Sequence, residues 1–201
     1  MKNNRLLIPG LLLLTVLIST PAFATETGPQ GPNERQEIIQ LGRMATKKLV
    51  RTLGSRMKMH LRKNGPAGAL GFCAAKAQAL TARVNRELPA AVRVKRISLR
   101  HRNPLDAPIK DEAKILRALH LLKNAGAVLP DYVLQRVGRR SYKFYRPITI
   151  NKGVCLNCHG HRARMKPGVK KALAKFYPDD RATGYNLGDL RGAVVVTIRR
   201  R

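Results

Sequence analysis

The stretch AVRVKRISLR, residues 91–100, decides the fold class. Apolar and basic residues alternate along it, the period-two pattern of a strand with one buried face. Upstream the period changes. Phe72, Cys73, Ala77, Leu80 and Val84 share one side of an Ala-rich helix over residues 69–87, which Pro89 ends. NGPAG (64–68) separates it from a longer helix over 33–63, where Ile38, Leu41, Ala45, Leu49, Leu53 and Met57 recur at intervals of three and four. Downstream, HRNPLDAP (101–108) reads as a loop. Residues 111–124 follow as a helix with Ile115, Leu116, Leu119 and Leu122 on its apolar side, closed by Gly126. SYKFYRPITI (141–150) and LRGAVVVTIRR (190–200) are further strands, and 169–176 is a short helix after Pro167. YPDDRATGYNLGD (177–189) is a turn-rich loop. Helices come first and strands are scattered among loops, which predicts an α+β fold with an antiparallel sheet.

The N-terminus bears on compartment. Lys2 and Arg5 precede the apolar run 6–20, and Ala22 and Ala24 stand in an A-x-A arrangement. This pattern predicts a secretory signal peptide over 1–24 and a periplasmic location; an uncleaved N-terminal anchor is the alternative. Residues 25–32 (TETGPQGP) read as a flexible lead-in, and 33–201 as one domain. Forty Lys and Arg against eleven Asp and Glu give a formal charge of +29, or +27 without Lys2 and Arg5. Such an excess suggests nucleic acid in a cytosolic protein. Export argues against that, and leaves an acidic redox or signalling protein or an anionic membrane surface as partner. Most single Lys and Arg are solvated surface, the Arg199–Arg201 run among them. Oligomeric state is not readable here.

The chemistry concentrates in GVCLNCHGHRA, residues 153–163. Cys155, Cys158 and His159 form C-x-x-C-H, the c-type haem attachment pattern. Two thiols add to the two haem vinyl groups, and the adjacent histidine is delivered beneath the iron as proximal ligand. The cofactor expected is one covalent haem c. Three other readings compete. A thiol–disulfide oxidoreductase could use the Cys155/Cys158 pair without haem, but that motif should open a helix beside a βαβ unit. A zinc site needs four ligands, and only one such pair exists. A plain disulfide is the third. No catalytic constellation beyond the haem site is visible, so the sequence does not predict an enzyme.

Haem attachment leaves Cys73 without a disulfide partner. It reads either as a buried thiol behaving as a small apolar residue or as the distal iron ligand, its thiolate favoured by ferric iron. Met57, Met59, Met165, His60, His101 and His120 compete for that position, while His161 is too near His159 to reach the opposite face easily.

Several stretches together resemble the family of exported c-type haem domains with a PAS-like fold, found alone in bacteria and cyanobacteria and as sensory regions of signalling proteins. They are GFCAAKA around Cys73, VKRISLRHRNPLDAP (94–108), YKFYRPITINKGVCLNCHG (142–160) and YPDDRATGYNLGDLRGAVVVTI (177–198). The resemblance implies a PAS-like antiparallel sheet flanked by helices, and His/Cys axial ligation carried here by His159 and Cys73. The long N-terminal helix and the basic excess are less a part of it. Haem propionates need cationic partners, and Arg96, Arg100, Arg102 and Arg146 lie on or beside strands in these stretches. One or two of them are expected to serve. The resulting expectation is a mono-haem protein for electron transfer or redox sensing.

Overall fold

The computed structural model describes residues 31–200. The expected signal peptide and most of the lead-in lie outside the described residues. The elements are α1 (Pro32–Arg86), β1 (Val92–Ile97), α2 (Lys110–Asn124), β2 (Val133–Gly138), β3 (Ser141–Thr149), α3 (Leu156–His159), α4 (Pro167–Phe176) and β4 (Leu190–Arg199). The α+β expectation holds: one antiparallel sheet in the order β1-β4-β3-β2 is flanked by helices.

α1 is two arms. Gly65 adopts φ 65° and ψ −177°, a region essentially reserved for glycine. Pro66 then starts the second arm, as proline suits a first helical turn. Lys48 and Glu87 show how sharp the bend is. A straight helix would hold residues 39 apart at roughly 58 Å, yet their side chains form an ion pair at 3.0 Å. The expected break at 64–68 is therefore a reversal of direction. The helix begins at Pro32, which the sequence assigns to the lead-in; proline there occupies the first turn, where its missing N–H costs nothing.

The strand period sorts side chains between two faces. Val92 and Val94 of β1, Tyr142 and Phe144 of β3, and Val194, Val196 and Ile198 of β4 pack against Ile38, Leu49 and Val84 of α1. On the other face Ile97, Tyr145, Ala193 and Val195 pack with Leu116 of α2. Phe144 and Tyr142 are fully buried, and each such ring contributes about 1.5–3 kcal/mol of transfer free energy. The α2 face also buries Glu112, whose carboxylate takes Lys95 at 2.8 Å and Lys143 at 2.9 Å, with a third bond from the Ile109 N–H at 3.1 Å. At the sheet edge, Asn85 of α1 accepts from the Val94 N–H at 2.7 Å and donates to the Val94 carbonyl at 2.9 Å. That clamp fixes the second arm of α1 to β1 and occupies edge groups that another strand could pair with.

Candidate cofactor site

A cavity of about 290 Å³ opens where the two arms of α1 meet the end of the sheet and the C-x-x-C-H segment. Each wall has a local reason. Met57 and Leu61 come from the first arm of α1, and Ala69, Leu70, Cys73 and Ala77 from the second. Small residues on that arm leave room for a flat ligand to approach the backbone. Met165, Val169 and Leu173 pack on Leu70 from behind, so α4 braces the arm. The sheet supplies Arg96, Ile148 and Arg191, and the attachment segment supplies Cys155, Cys158 and His159. A larger open depression of about 650 Å³ over β2 has none of these groups.

His159 ends the single-turn helix α3, and its ring is fixed by hydrogen bonding. Nδ1 lies 2.8 Å from the Ala182 carbonyl. A carbonyl can only accept, so Nδ1 carries the proton and Nε2 is the free lone-pair donor. Tyr185 meets the imidazole edge-on at 6.2 Å. Burial, and then the Arg191 and Arg102 charges, push the imidazole well below its ordinary pKa. The ring is held neutral, the form that binds a metal. The loop carrying Ala182 is itself anchored: Tyr185 N–H donates to the His159 carbonyl at 3.0 Å and Gly184 N–H to the Gly160 carbonyl at 2.7 Å.

Cys73, Cys155 and Cys158 are free thiols that line the same cavity. Burial raises the pKa of Cys73, and Arg96 and Arg102 oppose that shift. Burial also raises Cys158, with Arg102 opposing. In a dithiol oxidoreductase the attacking thiol would be the first of the pair, here Cys155. Such a motif would open a longer helix in a parallel unit; here Cys155 precedes one four-residue turn in a wholly antiparallel fold. The Cys155/Cys158 pair therefore lacks the helical, parallel scaffold of a dithiol oxidoreductase.

Two orphaned donors test whether haem fits. Arg96 pairs with Asp106 at 3.3 Å through Nη2, and Arg191 donates from Nη1 to Ser98 Oγ at 2.7 Å and to the Arg100 carbonyl at 3.1 Å. In each, Nε is buried without a partner, and both residues line the cavity. A buried unsatisfied guanidinium N–H is costly. Two guanidiniums that line an apolar cavity, each short of one partner, suit a flat, mostly apolar group bearing two carboxylates. Together with two thiols and a free imidazole nitrogen, the residues present fit haem.

The expected site residues divide as follows. Cys73, Cys155, Cys158, His159, Arg96 and Arg102 come together at the cavity. Arg100 lies beside it instead, stacked over Tyr185 at 4.2 Å and donating to the Arg181 carbonyl at 3.3 Å. Arg146 sits on the exposed end of the α1 face of β3, outside the lining. Of the competing distal donors, only Met57 shares the cavity with Cys73 among the described residues. Met165 is core, Met59 is exposed, His60 stacks on Phe72 at 3.9 Å and His161 lies 3.2 Å from Asn186.

Arg191, Tyr177 and Asp180 were missed by the sequence reading. The 177–189 stretch was expected to be turn chemistry alone, but Asp180 is a fully buried carboxylate paired with Arg102 at 3.1 Å. A signal existed for Arg96: it occupies the position after Val92 and Val94 where alternation calls for a core residue. A charge placed there marks the buried face as lining something polar.

No curated protein matches the chain. Among solved structures, the crystal structure of the cyanobacterial heme-protein Tll0287 is similar in fold, with a TM-score of 0.51 and 22% identity over 85% of this chain and 98% of that one. The family model described as Tll0287-like matches residues 29–199, which take in both arms of α1, the whole sheet and every residue of the cavity, and so the chain belongs to the Tll0287-like family.

Proposed function

We propose that this is an exported mono-haem c-type protein, with haem joined through thioether bonds to Cys155 and Cys158, His159 as proximal ligand and Cys73 as distal ligand. The observation that carries this reading is the convergence on one cavity of Cys73, from the second arm of α1, with the C-x-x-C-H residues beyond the sheet. The named content of the structural neighbour, a heme-protein, supports it. Haem supplies a one-electron iron couple when bound. The chain's own residues orient the imidazole through Ala182, offer Arg96 and Arg191 to the propionates, and present a thiol that is anionic once metal-bound. Such a centre serves electron transfer or redox sensing, and the basic surface suits an acidic protein partner.

The test is the oxidised protein isolated from the periplasm. Expected are a mass exceeding the processed chain by one haem after denaturation, and a low-spin absorption and spin-resonance spectrum of thiolate–imidazole ligation. Colourless protein at the bare chain mass refutes the reading. Carbon monoxide added to the reduced form separates the roles: no spectral change identifies a carrier, and rapid binding a sensor that frees its distal position.

A further inference from the structure

Resting on the haem reading above, we propose that the buried Arg102–Asp180 pair is a tuning device for the proximal ligand, with Arg102 as a positioning residue that weakens the electron donation of His159. The geometry is specific. Arg102 Nε and Nη2 each lie 3.1 Å from one Asp180 oxygen, a two-pronged pairing. Its side chain is 10% exposed and that of Asp180 0%, so water does not screen the charges. Nη2 also donates to the Cys158 carbonyl and, at 3.2 Å, to the Ala182 carbonyl. The Ala182 oxygen is the same one that accepts from His159 Nδ1. Asp180 closes the circuit by accepting from the Ala182 N–H at 2.8 Å.

One residue, Ala182, therefore joins the pair to the imidazole: its carbonyl takes Arg102 and His159, and its N–H, on the preceding peptide group, goes to Asp180. A partner that accepts strongly from Nδ1–H makes a ligating imidazole more electron-rich and favours the oxidised metal. Arg102 shares the accepting oxygen and places a positive charge on it, which lowers its pull on the imidazole proton. Asp180 acts in the opposite sense by holding the guanidinium back and adding negative charge. Arg162 approaches Asp180 at 3.9 Å from a half-exposed position and adds little. Arg102 also grips the carbonyl of Cys158, so the attachment segment and the Ala182 loop move as one body.

The two members of the pair push in opposite directions, and that separates tuning from mere structural support. The experiment uses the haem-loaded full chain. It compares R102Q and D180N with wild type by redox titration, with the oxidised spin-resonance spectrum as a check on axial ligands. The expected result is a midpoint shifted negative in R102Q and positive in D180N, with the axial spectrum unchanged. Shifts of the same sign, an unmoved midpoint in either variant, or an altered axial spectrum overturn the proposal. Should R102Q not accumulate, D180N decides alone: a midpoint unmoved or shifted negative overturns it. Wild-type chain at its bare mass defeats the haem reading first, which distinguishes the two failures.

Discussion

Gly160→Ala probes how tightly His159 is set. Gly160 follows His159 and caps α3, with its N–H bonded to the Leu156 carbonyl at 2.9 Å. A Cβ added at Gly160 falls 2.6 Å from that same oxygen and 3.3 Å from the Leu156 Cβ. Ordinary contact begins at 3.4 Å, so the two groups must separate by about 0.8 Å. The obstacle is backbone, which no rotamer change relieves. Nor can residue 160 retreat cheaply, because its carbonyl and that of His159 are held by Gly184 and Tyr185. Either the α3 turn opens or the loop pairing breaks. Overpacking of this kind costs about 1–3 kcal/mol, and a lost backbone hydrogen bond about 1 kcal/mol more. The variant should lose about 2–4 kcal/mol in urea unfolding, read from the midpoint at constant slope. Its axial-ligand spectrum should broaden as the imidazole tilts. Stability within about 0.5 kcal/mol of wild type and an identical spectrum would refute the claim that this turn fixes His159.

Three further outcomes are expected. In Glu112, burial raises the pKa, but bonds from Lys95, Lys143 and the Ile109 N–H outweigh it and the net shift is downward. A depressed folded pKa contributes stability above the unfolded value of ~4.3 and loses it as pH falls through the folded value. Glu112→Gln should therefore show a flatter stability-versus-pH curve than wild type below about pH 4.5, and equal slopes would count against it. Cys73→Ala should change the oxidised spectrum and raise the potential, whereas Met57→Leu should leave both unchanged; the reverse outcome gives the distal site to methionine. With haem bound as proposed, Arg191→Gln removes a cation that lines its cavity and disfavours the more negative reduced form. At ~10 Å and an effective dielectric of ~20 the effect is about 1–2 kcal/mol, a fall of roughly 60 mV in titration, and an unmoved midpoint would show that Arg191 pairs with nothing anionic.

Local patterns were legible in the sequence, and reciprocal ones were not. The strand period at 91–100, the α2 stripe and the break at 64–68 each reflect a constraint acting within a few residues, and all three recur in the fold, except that Leu122 of the stripe is 44% exposed. β2 went unread because Val133–Gly138 is an edge strand, with no fully buried position to impose alternation. The C-x-x-C-H motif sets its thiols and imidazole in adjacent residues, so its place in the cavity could be anticipated from the sequence. The arginines could not be sorted that way. Arg96 and Arg146 both lie on the α1 face of the sheet, but only Arg96 lines the cavity, and that depends on where α1 and the attachment segment end. Asp180 was unreadable for the same reason, since its partner Arg102 lies 78 residues earlier.

The reversal at Gly65 links this topology to the centre's chemistry. A straight helix of 55 residues would run roughly 82 Å, far beyond the sheet it covers, and could offer the cavity only one wall. Folded back, it gives two. The first arm brings Met57 and Leu61, and the second brings Cys73 between Ala69 and Ala77. Lys48–Glu87 and the shared burial of Leu49 and Val84 tie the end of the second arm to the middle of the first. α4 braces the second arm near the cavity through Leu70, Val169 and Leu173. The proximal side is held by different contacts, the Ala182 carbonyl and the Arg102–Asp180 pair. Cys73 and His159 are thus held by different kinds of contact, though Cys158 packs into the same apolar cluster as Leu70. The His159 imidazole is fixed by a direct hydrogen bond, and the arm bearing Cys73 by apolar packing together with the Asn85 clamp and the Gln78–Asp106 hydrogen bond at 3.0 Å.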